Sequence, residues 1–194
     1  EQAFAAGQRA FGENYVQEFE GKYPTIKDLT GAAFHFIGHL QSNKARAAVQ
    51  IFHVIETVDS AKLARRLNDT GTPLEVMIEV KLSEEEAKAG AAPEELPALI
   101  DAIRTCSNLR LSGLMTMPPW SDDAEKSRPS FRRLAALGRA HAMEKLSMGI
   151  SHDFEAAIEE GATHIRVGRA LFGARPQREG RTCGYPPLAL PCAR

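Results

Sequence analysis

The chain has 194 residues, of which 43% are hydrophobic and 25% are charged. Its 24 Lys and Arg residues nearly balance its 25 Asp and Glu residues, which leaves a formal net charge of -1. This composition excludes collagen-like and wholly disordered chains, and the charge balance excludes the broadly basic surface of a nucleic-acid-binding protein. No apolar run approaches the roughly 18 residues that a membrane-spanning helix needs. We therefore expect a cytoplasmic protein with neither a nucleic-acid nor a membrane partner.

Short apolar segments rich in β-forming residues recur along the chain, and a segment of helical periodicity follows each of them. Most of these segments are continuously apolar, as the strands of a buried parallel sheet are. The seven predicted strands are residues 10–16, 34–38, 54–58, 74–81, 109–117, 145–149 and 164–168.

Helix signals lie between the predicted strands. Ser60 precedes one helical segment as an N-cap, and Pro93 stands in the first turn of another. Ser83, with Glu86 three residues later, has the pattern of a capping box. The sequence therefore predicts that helices alternate with strands along the chain.

The same unit of helix, glycine and strand occurs near both ends of the chain. Gly7 ends EQAFAAG and Gly161 ends DFEAAIEEG, and a predicted strand follows each glycine within a few residues. Such alternation predicts an α/β fold with a parallel sheet, either doubly wound or closed into a barrel. Neither GxGxxG nor GxxxxGK[ST] occurs, which favours the barrel.

A TIM-type (β/α)8 barrel has eight strands and typically about 250 residues. This chain offers seven predicted strands and opens with a helical segment. We therefore expect a barrel that lacks its first strand, over residues 1–175. Residues 176–194 have no periodicity and contain four prolines, which predicts an irregular or disordered tail.

The carboxyl ends of the strands form the active face of such a barrel, and loops after the last two strands commonly hold phosphate. The corresponding segments here, residues 147–151 and 166–173, are rich in small residues and form a candidate phosphate cup. Alternatively, Gly149 and Gly168 simply make tight turns. Because a partly buried guanidinium needs an acceptor, we expect Arg166 to face a ligand or a carboxylate. Arg169 either joins the cup or is solvated.

Polar residues also stand at the ends of the other predicted strands, as at a small-molecule site. They are Asn14, Tyr15, His35, His39, Lys81 and Thr116. The two histidines have no third ligand at a metal-binding spacing, so hydrogen-bonded structural histidines are favoured over zinc. Cys106, Cys183 and Cys192 form no paired motif. No carboxylate pair has the spacing of a glycosidase, among Glu13, Glu18, Asp59 and Glu79.

Several strings together resemble the pyridoxal phosphate homeostasis protein family. They are FGENYVQE, FHFIGHLQSNK, EVKLSEEEAKAG, GLMTMPP, LSMGISHDFEAAIEEG and HIRVGRALFGAR, in the family's order and spacing. The resemblance covers residues 1–175. It implies a barrel like the N-terminal domain of alanine racemase that binds pyridoxal 5'-phosphate (PLP) and serves cofactor homeostasis without established catalysis. It further implies a monomer whose partners are PLP and the apo-enzymes that receive it.

The resemblance also implies a set of cofactor-binding residues. By motif match, the phosphate would be held by Ser147, Met148, Gly149, Ser151, Gly168 and Arg169. Arg166 would face the pyridine nitrogen, and Asn14 and His35 complete the predicted site. An arginine in that position disfavours a protonated pyridine ring and so weakens the ring as an electron sink. This suits a carrier of the cofactor better than an enzyme that forms carbanions.

In the family, PLP forms an imine with a lysine on the first strand. That segment would lie upstream of Glu1, so we expect an N-terminally truncated chain that contains no catalytic residue. The lysines near the rim, Lys44, Lys81 and Lys88, are interpreted as solvated or phosphate-attracting. Two alternatives stay open: a racemase-like PLP enzyme, and a barrel that binds another phosphorylated metabolite.

Overall fold

The computed structural model describes residues 1–83 and 89–173. Seven strands form one parallel sheet whose spatial order follows the chain, and the sheet curves into a nearly closed α/β barrel. The strands are β1 (Ala10–Glu13), β2 (Ala33–Phe36), β3 (Val54–Val58), β4 (Leu74–Glu79), β5 (Leu109–Met115), β6 (Lys145–Ile150) and β7 (His164–Arg166). The predicted barrel of seven parallel strands is confirmed.

Helices cover the outside of the sheet. They are α1 (Gln2–Ala5), α2 (Val16–Ile26), α3 (Ala45–Ile51), α4 (Ala61–Asn68), α5 (Leu96–Arg104), α6 (Arg128–Ala140), α7 (Phe154–Glu159) and α8 (Arg169–Phe172). Short 3-10 turns precede three of them, at Ser42–Lys44, Pro93–Glu95 and Ala124–Ser127. No helix in residues 1–83 and 89–173 is long and apolar enough to cross a membrane.

Five of the seven predicted strands extend too far at their carboxyl ends, whereas the prediction 54–58 matches β3 and the prediction 145–149 stops one residue short of the end of β6. Residues 14–16 leave the sheet, and Val16 already begins α2. β4 likewise stops before Val80. Val16 and Val80 remain buried after the strands end, and the Val80 amide still donates to the Met115 carbonyl at 2.7 Å. Hydrophobicity therefore marks burial here and does not mark where a strand stops.

The helix signals agree well with the structure. The Ser60 hydroxyl accepts a hydrogen bond from the Leu63 amide at 3.3 Å and so caps α4. Gly7 and Gly161 have φ angles of +103° and +95°, as expected after helices. Pro93 was predicted to begin a helix, but it begins the 3-10 turn that leads into α5. The Ser83–Glu86 capping box, Lys88, Cys183, Cys192 and the predicted tail lie wholly or partly outside the described residues.

The core lies between the sheet and the helices. Phe19 of α2 packs on Phe34 of β2 and on Phe52, with ring centroids 5.0 and 4.7 Å apart. Inside the curved sheet, the rings of His35 on β2 and His164 on β7 approach to 6.1 Å. This approach brings β2 close to the last strand, β7. The carboxyl ends of all seven strands therefore gather around one mouth.

Candidate functional site

The loops after β1 and β2 meet at the mouth. A Cβ atom at Gly38 would lie 2.1 Å from the carbonyl oxygen of Asn14, so only glycine allows this approach. The Thr57 hydroxyl donates a hydrogen bond to the Gly38 carbonyl at 2.6 Å and ties the loop to β3. These contacts hold the half-buried Asn14 at the rim.

The loops after β6 and β7 are joined through one hydroxyl. The Ser151 Oγ atom accepts hydrogen bonds from the amides of Gly168 and Ala170, at 3.1 and 3.2 Å. Within the first loop, Asp153 Oδ1 accepts a hydrogen bond from the Ile150 amide at 2.7 Å. The two segments of the candidate phosphate cup therefore lie together, as the sequence predicts.

The two glycines of the cup have different roles. Gly149 has a φ of +87°, and a Cβ there would lie 2.5 Å from the Ala157 Cβ. It therefore allows α7 to pack directly against β6. A Cβ at Gly168, in contrast, would have no described atom within 4 Å. The space beside Gly168 is open and could receive part of a ligand.

Arg169 stands next to this space at the start of α8. Its side chain is half-buried, and within residues 1–83 and 89–173 it makes no hydrogen bond or ion pair. The sequence left open whether Arg169 joins the cup or is solvated. Its position beside Gly168 makes its positive charge available to an anion in the cup.

A chain of hydrogen bonds crosses the interior below the mouth. Glu56, in the middle of β3, is only 3% exposed. One of its carboxylate oxygens lies 2.6 Å from His35 Nδ1, and the other accepts a hydrogen bond from the Ser147 hydroxyl at 2.5 Å. Arg166 Nη1 donates to the same Ser147 oxygen at 2.8 Å. The network therefore joins a buried carboxylate to the guanidinium on β7.

Glu56 remains a carboxylate in this network. Burial by itself raises its pKa, but the hydrogen bonds from His35 and Ser147 and the charges of His35 and Arg166 outweigh that effect. The net result is a pKa of Glu56 below its ordinary value. The buried negative charge is thus compensated by hydrogen-bond donors.

Arg166 is held at the mouth by a second contact. Its Nη2 atom donates a hydrogen bond to the Thr116 carbonyl, beyond the end of β5, at 2.8 Å. It also lines a pocket together with Trp120, Gly149 and His152. The Trp120 and His152 rings lie 4.9 Å apart. Arg166 therefore faces a recess formed by the loops after β5 and β6.

The opposite part of the mouth is acidic. Burial raises the pKa of Glu79, and the nearby Asp59 raises it further, whereas Arg166 and His39 act in the opposite direction. The sequence alone showed no meaningful spacing between these carboxylates. The fold brings Asp59 and Glu79 into the same electrostatic environment because both stand at the ends of neighbouring strands.

The predicted site residues therefore lie in different parts of the mouth and of the interior below it. Gly149, Ser151, Gly168 and Arg169 surround the cup. His35, Ser147 and Arg166 belong to the interior network, and Asn14 follows β1 and contacts Gly38 in the loop after β2. Met148 differs from the others because its side chain is fully buried in the hydrophobic core. The Met148 side chain is therefore not part of the cup.

Sequence reasoning missed three residues of this region. Glu56 carries a charge inside the otherwise apolar segment VIETV, and a buried charge needs compensation. That signal could have identified Glu56. Trp120 and His152 lie in loops, and no local pattern indicates that their rings meet. Across the described part of the chain, no group of three or more His, Cys, Asp or Glu side chains is arranged to hold a metal ion.

Known sequences resemble this chain over most of its length. The family model described as alanine racemase, N-terminal domain, matches residues 1–176. A protein from Pseudomonas aeruginosa named pyridoxal phosphate homeostasis protein is 46% identical over 180 residues, which cover 90% of this chain and 78% of that protein. A protein of the same name from Aquifex aeolicus is 42% identical, over 89% of this chain and 79% of that protein.

Solved structures also resemble this chain. PipY of Synechococcus elongatus PCC7942, with PLP bound, is 39% identical and has a TM-score of 0.80, over 89% of this chain and 85% of PipY. Alanine racemase from Corynebacterium glutamicum has a TM-score of 0.68 over 92% of this chain and 51% of the racemase. At 20% identity, that second likeness concerns the fold alone.

Proposed function

This chain belongs to the pyridoxal phosphate homeostasis protein family, built on the alanine racemase N-terminal domain, and we propose that it binds PLP at the mouth of its barrel. The role is to hold the cofactor and to release it to apo-enzymes, with no turnover of a substrate. The named relatives and the PLP bound to PipY support this proposal.

One observation carries the proposal: the cup and Arg169 lie beside the interior network that ends in Arg166. Ser151 joins the loops after β6 and β7, and Gly168 leaves open space next to the Arg169 guanidinium. An anion there would meet a full positive charge and a backbone that approaches closely. The cup therefore suits the phosphate group of PLP.

The ring of the cofactor would lie towards the recess that contains Arg166. Arg166 is anchored by Ser147 and Thr116, so its guanidinium is directed into the mouth. His35 is buried, and Asn14 is half-buried after the end of β1. PLP would supply an electrophilic carbonyl and an aromatic ring. A charged guanidinium next to the ring nitrogen opposes protonation of that nitrogen, which suits storage of the cofactor rather than carbanion chemistry.

Trp120 provides the test of PLP binding. It is the only tryptophan of the sequence, and it lines the same recess as Arg166. We expect bound PLP to quench its emission by energy transfer, with saturation in a titration. Pyridoxal without the phosphate and inorganic phosphate alone should each bind more weakly than PLP. If pyridoxal binds as well as PLP, the cup does not hold the phosphate.

Two arginine variants sharpen this titration. Arg169→Ala should weaken PLP binding about tenfold, because one charge-assisted contact to the phosphate is lost. Arg133→Ala is the matched control, since Arg133 is an exposed arginine on α6. Its ion pair with Glu94 is long, at 4.0 Å. Equal affinities for the two variants would contradict the proposed cup.

The absence of catalysis has its own measurement. The protein with PLP and L-alanine should form no D-alanine above the rate of PLP alone. Steady formation of D-alanine would support the racemase-like alternative. Borohydride treatment followed by mass spectrometry tests for covalent attachment, and we expect unmodified protein because the named site residues include no lysine.

The transfer role is tested with a PLP-dependent apo-enzyme. We expect the loaded protein to restore the activity of the apo-enzyme, and we expect light scattering to show a monomer before and after transfer. If the protein binds PLP saturably but does not reactivate the apo-enzyme, it stores PLP and does not transfer it.

A further inference from the structure

The strand that carries Arg166 does little to fix its side chain. β7 is only three residues long, and its register with β6 shifts between the Ser147–His164 and Ile150–Arg166 pairs. Within the described residues β7 pairs with no strand other than β6. A long flexible side chain on such a strand loses its position unless other groups hold the guanidinium.

Among the described residues, two oxygen acceptors hold the guanidinium, and the Met117 sulfur is a longer contact of Nη2 at 3.7 Å. Thr116 offers its carbonyl, and this residue is itself fixed, because its amide donates to the Ser147 carbonyl at 3.1 Å and its hydroxyl donates to the Val80 carbonyl at 2.9 Å. The second acceptor is the Ser147 hydroxyl. One anchor is therefore backbone, and the other is a rotatable side-chain group.

The direction of the Ser147 hydroxyl depends on Glu56. A carboxylate only accepts hydrogen bonds, so the single Ser147 proton points to Glu56 at 2.5 Å. The lone pairs of the Ser147 oxygen are then directed to Arg166 Nη1. Since Ser147 is fully buried and its proton is already used, it has no second proton to donate to a phosphate.

We propose that Glu56 is a positioning residue for Arg166, which it holds at the mouth through the Ser147 hydroxyl. Ser147 is then the link between the two charges rather than a ligand of the phosphate, as the family motif implies. The consequence for PLP rests on the proposed function, since it requires that Arg166 contact the ring. The arrangement of Arg166 itself does not depend on any ligand.

NMR spectroscopy of the arginine side chains tests the arrangement directly and without PLP. A guanidinium held by two acceptors rotates slowly about its C–N bonds, so we expect separate Nη–H signals for Arg166 in the wild-type protein. Ser147→Ala and Glu56→Leu should merge or broaden these signals. Glu56→Gln should change the Arg166 signals less than Glu56→Leu does, because an amide oxygen still accepts a hydrogen bond from Ser147.

Glu75→Gln is the matched control for these variants. Glu75 is also a partly buried carboxylate on a strand, but it bonds to Lys145 Nζ at 2.5 Å and to Arg110, near the amino end of β4. Its loss should leave the Arg166 signals unchanged. If the signals of Arg166 persist in both Glu56→Leu and Ser147→Ala, the proposal is wrong. If Glu75→Gln changes them equally, the effect is general destabilisation and the proposal is also wrong.

A double-mutant cycle measures the consequence for PLP. Glu56→Gln should weaken PLP binding several-fold, and Ser147→Ala about tenfold. In an Arg166→Lys background both losses should nearly vanish, since an ammonium cannot bridge Ser147 and Thr116 as a guanidinium does. Undiminished losses in that background would show that Glu56 acts without Arg166.

Competition between inorganic phosphate and PLP distinguishes two roles of Ser147: a link between Glu56 and Arg166, or a ligand of the phosphate. If Ser147 is only a link, Ser147→Ala leaves the affinity for inorganic phosphate unchanged, whereas Arg169→Ala lowers it. A phosphate affinity that falls with Ser147→Ala would overturn the assignment. If the wild-type protein binds no PLP at all, the proposed function fails, and the NMR signals still decide the role of Glu56.

Discussion

The barrel contains two clusters of charged side chains, one inside it and one on its surface. The interior cluster joins Glu56 to Ser147 and Arg166. The surface cluster is centred on Arg128, which contacts Glu125 at 2.6 Å, Glu159 at 2.8 Å and Glu160 at 3.0 Å and so clamps α6 to α7. Both use the same kinds of groups, yet their surroundings differ.

The difference lies in the access of water. Glu56 is 3% exposed, whereas the side chains of Glu125 and Glu159 are 62% and 65% exposed. Water replaces a lost partner at the surface, and it cannot do so in the interior. The number of contacts is therefore a poor guide to their importance. The interior cluster has the greater consequence for stability and for the site.

The largest expected effect follows from removal of the interior carboxylate. Glu56→Ala leaves His35 and Ser147 without their shared acceptor and removes the negative charge near Arg166. This loss should lower the free energy of unfolding by about 3 kcal/mol. Urea denaturation at neutral pH measures this loss. Glu159→Ala, which removes one partner of Arg128, is the control and should cause a much smaller change. Similar losses in the two variants would contradict the comparison.

The next effect is a dependence of stability on pH. The pKa of Glu56 is lower in the folded protein than in the unfolded chain, where it is near 4.5. Its contribution is therefore fully present above the unfolded pKa and is lost as the pH falls through the folded pKa. Glu56→Gln lacks this contribution, so its stability should fall less steeply on acidification. Parallel curves for the wild-type protein and Glu56→Gln would show that Glu56 does not stabilise the fold in this way.

The smallest effect is expected at the surface. Arg128→Ala should lower the melting temperature less than Glu56→Ala does, since its partners Glu125 and Glu159 become hydrated. Added salt should reduce the difference in melting temperature between Arg128→Ala and the wild-type protein, because salt screens exposed charges. The effect of Glu56→Ala should respond little to salt. If the loss of melting temperature in Arg128→Ala does not depend on salt, the surface cluster behaves like the interior cluster. That result would contradict the comparison.

The order of the elements could be predicted from the sequence with few errors. The segment 54–58 matches β3 to the residue, and Ser60 caps α4 as its position indicates. These features depend on local chemistry: apolar runs, a side-chain cap, and glycines at positive φ. The ends of β1 and β4 could not be predicted in the same way, because Val16 and Val80 are buried whether or not they pair with a strand.

The candidate site was predictable only in part. The cup could be located because small residues follow the last two strands, and the structure joins those loops through Ser151. The role of Ser147 could not be read from its motif. Its hydroxyl meets Glu56, which lies 91 residues earlier in the chain. No pattern of neighbouring residues reports such a contact.

The sequence by itself determined the α/β alternation, the barrel and the mouth as the place of the site. Each follows from periodicity or turn chemistry, which act over a few residues. The tertiary structure decided which charges meet: Glu56 with Ser147 and Arg166 inside the barrel, and Arg128 with its carboxylates outside. The closure of the sheet sets those distances and the access of water, and both depend on strands that are far apart in the chain.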